Sequence, residues 1–200
     1  ESLDSTLLDR YTNRNLSDLL SNESQVFIKS YGLGSLATTS FRGAGASHTA
    51  ILWNGFNLQS PMNGLLDMSL VPVNFLNNAT IQHGGAGALW GSGAVGGTIY
   101  LTNSATFNKG FSVMENASYG SFSDKQEQIS IEISKKRIAS SIKLFNYDAK
   151  NDFPFINNAQ YGQPEQKQSN ADLKQYGLLQ ENYFKINDRQ KINTRFTIFP

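Results

Sequence analysis

Two stretches in the C-terminal half constrain the fold more than any other feature. In residues 124–134, Gln126, Gln128, Ser130, Glu132 and Ser134 alternate with Ile129, Ile131 and Ile133. In residues 189–199, Lys191, Asn193, Arg195 and Thr197 alternate with Ile192, Thr194, Phe196 and Ile198. A period of two gives an extended strand one polar and one apolar face. About ten residues is also the length of a tilted strand that crosses a bilayer with a wet side and a lipid side. Residues 111–119, 138–147 and 173–185 are compatible with the same pattern. Their connections alternate in length: short at 120–123, tight and charged at 135–137, long and rich in Asn and Gln at 150–171, tight again at 187–189. Outer-membrane barrels pair tight periplasmic turns with longer outer loops in this way. A soluble β-sandwich also alternates, so periodicity alone leaves both readings open.

Composition narrows the classes. With 17 basic and 16 acidic residues the chain is nearly neutral. It shows no basic patch beyond Lys135, Lys136 and Arg137, so no nucleic-acid partner is expected. The absence of cysteine excludes disulfides and thiolate metal sites. No apolar run reaches the length of a spanning helix, which says nothing against a barrel, whose alternating strands keep hydropathy low.

The first half has another texture. Residues 3–8 and 16–20 are short helical expectations; Asn15 can cap the second, with Leu16, Leu19 and Leu20 on one face. Residues 26–29, 38–42, 49–53, 79–82 and 98–102 read as short strands. Asn54-Gly55 between apolar flanks predicts a hairpin turn. Within the run 84–102, "GGAGALWGSGAVGGTIYLT", residues 91–96 satisfy G-x-G-x-x-G. The dinucleotide fingerprint requires a strand before it and a helix after it. Here the run leads into the strand-like Thr98–Thr102, so the glycines are read as tight turning and close packing instead.

Three segments carry a resemblance: "LSDLLSN", "TSFRGAGASHTAILWNGFNLQSPMNG" and the glycine run 84–102. In order and spacing they resemble the plug domain of TonB-dependent outer-membrane receptors over roughly residues 10–104. "ASYGSFSDKQEQISIEIS" and "KLFNYDAKNDFPF" look like first barrel strands and the second outer loop in a Bacteroidetes branch similar to the vitamin B12 receptor. The resemblance implies an α+β plug domain (1–104) followed by antiparallel β-strands (105–200) of an incomplete transmembrane β-barrel, about 22-stranded when complete. It implies an outer-membrane location in a Gram-negative bacterium and no enzymatic activity. The implied activity is active uptake of a scarce, bulky nutrient, with cobalamin or a related corrinoid first and a siderophore or haem second. A non-transporting β-rich binding module is the reading from another class. The implied partners are the TonB-ExbB-ExbD inner-membrane complex, the small-molecule ligand, outer-membrane lipid and a surface lipoprotein.

The 96 residues after position 104 supply about five strands with loops. The chain is therefore expected to be a piece of a longer or split receptor. Where the family has Arg-Gly-Pro before the closing glycine run, this sequence reads Gln82-His83-Gly84-Gly85, and no TonB box is visible before Leu16.

By position, the resemblance puts the ligand on outward-facing plug loops, at Tyr31, Leu33, Gln59, Pro61, Met62 and Asn63. Aromatic and Met side chains offer apolar contact there, and amides offer hydrogen bonds. Arg42 is expected in a plug–barrel ion pair, with Gly91 and Gly96 against the barrel wall. No resident cofactor is expected. Asp148 and Asp152 are weak calcium candidates, since the acidic residues of the long loop match no calcium spacing. His48 and His83 stand without neighbouring ligands, and no catalytic residues are expected.

Overall fold

The computed structural model describes residues 1–32, 34–41, 43–84 and 87–198. The chain divides into two compact units, Glu1–Ala105 and Thr106–Pro200.

The first unit contains β1 (Ser2–Leu3), α1 (Ser5–Arg10), α2 (Leu16–Glu23), β2 (Phe27–Ser30), β3 (Ala37–Ser40), β4 (Thr49–Trp53), β5 (Phe56–Asn57), β6 (Asn78–His83), α3 (Gly87–Trp90) and β7 (Gly97–Thr102). Leu3 was expected to open a helix. Instead it pairs with Ala79 as part of β1, and Asp4 starts α1 by accepting the Leu7 N–H. Asp4 is thus the capping residue that fixes the boundary. Asn15 caps α2 as expected, through the Asp18 N–H. Leu16, Leu19 and Leu20, on one face of that helix, are fully buried. Each contributes about 1.5–3 kcal/mol by leaving water. The Tyr11 hydroxyl donates to Glu23 at 2.7 Å and ties the residue after α1 to the end of α2.

The main sheet runs β1-β6-β7-β4-β5; the β4–β7 pair is parallel and the others antiparallel. Asn54 and Gly55 have φ of 50° and 88°. Positive values at both positions give the turn favoured by Asn-Gly in two-residue hairpins. The side chain of Asn54 then accepts the Asn103 N–H at 2.8 Å. Asn103 in turn accepts from the Trp53 indole and donates to the Phe75 carbonyl, all buried. This polar knot fastens the hairpin to the end of β7.

The second unit is an antiparallel meander of β8 (Gly110–Tyr119), β9 (Lys125–Ser134), β10 (Ile138–Ala149), β13 (Leu173–Lys185) and β14 (Lys191–Ile198), in the order β14-β13-β10-β9-β8. The composition of the long connection predicts a polar loop. It carries a small hairpin of its own, β11 (Pro154–Ile156) paired with β12 (Glu165–Lys167). The alternation seen in the sequence becomes two faces. Directly paired residues share a face, so Val113, Ile131, Ile142 and Phe196 lie on one, while Glu132, Ser141, Glu181 and Arg195 lie on the other. The apolar face is the exposed one: Ile129, Ile131 and Ile133 are 37–46% exposed, whereas Gln128 and Ser134 on the polar face are buried. A water-soluble sandwich does the reverse. On the polar face Arg195 pairs with Glu181, which also accepts from Tyr183.

Candidate functional site

The ligand-facing loops proposed from sequence join β2 to β3 and follow β5. Tyr31 is 59% exposed, with the Lys29 ammonium 4.9 Å from its ring centre, and Met62 is 91% exposed. Pro61, the residue before Met62, is exposed as well. Gln59 and Asn63 serve the loop itself. The Gln59 amide donates to the Gly64 carbonyl at 2.6 Å, and the Asn63 side chain accepts the Leu65 N–H at 3.0 Å. Each of these bonds uses one of the two polar atoms of the side-chain amide. Leu33 and Arg42 lie outside the described residues.

A residue that sequence reading passed over joins the two loops. One carboxylate oxygen of Asp67 accepts the Ala37 N–H at 3.0 Å, the Ser69 N–H at 3.0 Å and the Ser69 hydroxyl at 2.7 Å. Asp67 caps the short turn Met68–Leu70 and, across 30 positions, holds the first residue of β3, just after the Tyr31 loop. The cap half of this role is visible in the sequence as Asp-x-Ser before an apolar run; the long-range half is not. We expect Asp67→Ala to cost about 1–3 kcal/mol, since it leaves two backbone donors unpaired. Asp67→Asn retains the acceptor and should stay near the parent. Thermal unfolding of the complete receptor checks this.

The glycine run packs against the "FRGAGASH" segment. The Gly96 N–H donates to the His48 carbonyl at 2.9 Å. A Cβ at Gly96 would lie 3.1 Å from that oxygen and 3.3 Å from the Ala44 Cβ, and one at Gly97 would lie 2.9 Å from the Phe41 ring. Gly64 approaches Ser47 in the same way, at 3.2 Å. Gly91 has open space around it; what it supplies is a φ of 77°. The neighbours that make Gly96 tight therefore belong to the first unit. A short turn, Ser92–Ala94, and then β7 follow Gly91, so the strand–turn–helix of a dinucleotide site is absent.

His83 stacks edge-on against Phe41 at 5.4 Å between ring centres. Gln82 accepts from the Tyr100 hydroxyl at 3.1 Å, which itself accepts from the Trp90 indole at 3.2 Å. Asp148 is not a loop residue: it lies in β10 and pairs with Lys174 at 3.6 Å. Among the described residues no group of three or more His, Cys, Asp or Glu side chains is placed to hold a metal ion.

The structure thus joins a small α+β unit closed by glycines to an antiparallel meander that exposes its isoleucines on one face and carries Glu132, Glu181 and Arg195 on the other. Residues 1–98 match the profile of the TonB-dependent Receptor Plug Domain. Residues 1–98 thus carry the plug domain of the TonB-dependent receptors, a family of the Gram-negative outer membrane, and the strands that follow have the fold of the first barrel strands of such proteins. It is 29% identical over 70 residues to the vitamin B12 transporter BtuB of Vibrio vulnificus (strain YJ016), which covers 35% of this chain and 11% of that protein. In structure it resembles the FrpB iron transporter of Neisseria meningitidis (TM-score 0.74, 15% identity, 98% of this chain and 32% of that one). It also resembles the pyoverdine receptor FpvA of Pseudomonas aeruginosa (TM-score 0.70, 14% identity, 98% and 26%). The chain thus spans about a tenth of its curated relative and about a quarter to a third of these structures.

Proposed function

We propose that this chain is the plug and opening barrel strands of a receptor that imports a scarce, bulky nutrient across the outer membrane, powered by the TonB-ExbB-ExbD complex. The observation that carries the reading is the inverted meander joined in one chain to a plug. Exposed isoleucines need lipid, the charged face needs water or protein, and the plug supplies something to fill a barrel.

Cobalamin or a related corrinoid is the favoured ligand. Its support is the sequence similarity to a vitamin B12 transporter within the plug family. The loop holding Tyr31 and the loop holding Pro61 and Met62 offer exposed apolar contact suited to a large ring system. Gln59 and Asn63 offer the ligand the amide atoms that do not hold the turn. Arg42 is the proposed plug–barrel ion-pair partner. Calcium at Asp148 loses support, since that carboxylate is engaged by Lys174. Asp152 remains a solvated loop residue in this reading.

Calorimetric titration of the complete receptor with cyanocobalamin tests the ligand. Tight, saturable heat is the expected result. No heat with cyanocobalamin, together with binding of a ferric siderophore, would replace the ligand and leave the transporter class intact.

A further inference from the structure

Six of the ten residues at two adjacent turns of the meander are basic. Lys135, Lys136 and Arg137 form the β9–β10 turn; Lys185, Arg189 and Lys191 surround the β13–β14 turn, where Asp188 is the one acidic residue. The two turns lie at the same end of the sheet, because the Lys185 N–H donates to the Arg137 carbonyl at 2.8 Å and Ile138 pairs with Phe184. Asp188 is already engaged by Lys185 at 2.7 Å, and that bond holds its carboxyl below the usual range. Lys135, Lys136, Arg137 and Arg189 are exposed and make no ion pair among the described residues. The opposite end has no such excess: residues 150–172 hold two basic and three acidic side chains.

This collar borders the apolar face directly. Ile138, Phe184 and Ile192 form the row next to the turns, each at least 40% exposed. One row further in, on the same face, the Ser140 hydroxyl donates to Asn182 at 2.7 Å and Asn182 donates to Thr194 at 3.2 Å. Short turns of outer-membrane barrels face the periplasm. The sequence of layers from that side is then cationic heads, an apolar row and a hydrogen-bonding rung. A phospholipid presents the order that matches the first two layers, phosphate and then acyl chain; the rung lies deeper, and its groups bond to one another. Basic clusters beside a membrane-embedded segment attract anionic headgroups, and long basic side chains can lay their stems on the apolar row while the charge stays at the interface.

We propose that this end of the sheet is a docking surface for anionic phospholipid of the periplasmic leaflet, with the two basic turns holding the headgroup phosphate. The proposal rests on the outer-membrane reading of the sheet and not on the identity of the transported ligand.

The test uses the complete receptor in bilayers containing spin-labelled phosphatidylglycerol or phosphatidylcholine, with no transport ligand added. The protein should immobilise phosphatidylglycerol roughly fivefold more strongly than phosphatidylcholine, unaffected by excess inorganic phosphate beyond its ionic strength and falling toward parity in high salt. The variant K135Q/K136Q/R137Q/R189Q should bring the two lipids to parity while leaving cyanocobalamin titration unchanged. If it fails to insert, the pair K136Q/R189Q serves, with the preference expected to halve. Equal association of both lipids with the parent protein, or a preference unchanged by the substitutions, would overturn the proposal. Parity between lipids with retention on isolated peptidoglycan would overturn it in favour of the cell wall. A receptor that prefers phosphatidylglycerol yet binds no cobalamin would count against the ligand reading alone.

Discussion

Gly97→Val is expected to unfold the plug. A Cβ at this position would lie 2.9 Å from two carbons of the Phe41 ring and 3.0 Å from the Gln82 backbone carbonyl. Neither neighbour can retreat cheaply. Phe41 is 2% exposed and wedged against His83, and Gln82 belongs to β6, paired with β7 along its length. The cost of about 3 kcal/mol is at the upper end for overpacking and is a large part of a small unit's stability. In the complete receptor the change should make residues within 1–98 protease-sensitive at temperatures where the parent resists. Gly91→Ala is the comparison. It meets no neighbour within 4 Å and suffers only from its backbone conformation, φ 77° and ψ −163°, a penalty of about 1–3 kcal/mol. Equal resistance of the Gly97→Val and parent proteins would show that the close approach of glycine run and Phe41 is not what holds the plug.

Ile131→Arg should be nearly as damaging in lipid, for an unrelated reason. Ile131 sits mid-strand in β9, flanked across the sheet by Val113 and Ile142 on the exposed apolar face. An arginine near the middle of a barrel's lipid face costs about 2–4 kcal/mol. Ile131→Val keeps the face apolar and should fall within about 1.5 kcal/mol of the parent. Denaturant unfolding of the complete receptor in lipid vesicles measures both. An Ile131→Arg protein as stable as the Ile131→Val protein would mean that this face does not meet hydrocarbon.

Strand alternation was legible because it follows from local geometry: a period of two survives whatever the strand packs against. The Asn54-Gly55 turn and the Asn15 cap were legible for the same reason, since each depends on a few neighbouring residues. What escaped reading depends on distant partners. Leu3 joins a strand because Ala79 is beside it, and the 154–167 hairpin forms in a segment too polar for a periodicity signal. Asp67 is the clearest case in the site. Its cap is local, but its hold on Ala37 spans the loop, β4 and β5. The glycine run was readable as packing rather than phosphate binding. The packing partner was not, since Phe41 and His48 meet Gly97 and Gly96 only once β4 and β7 lie side by side.

Energised uptake tests the central claim most directly. Cells lacking their own receptor and expressing the complete protein should accumulate labelled cobalamin above the external level. Accumulation should cease when TonB is deleted or the proton gradient is collapsed, while surface binding persists. Uptake that continues at the same rate without TonB, or binding with no uptake when TonB is present, would contradict the account.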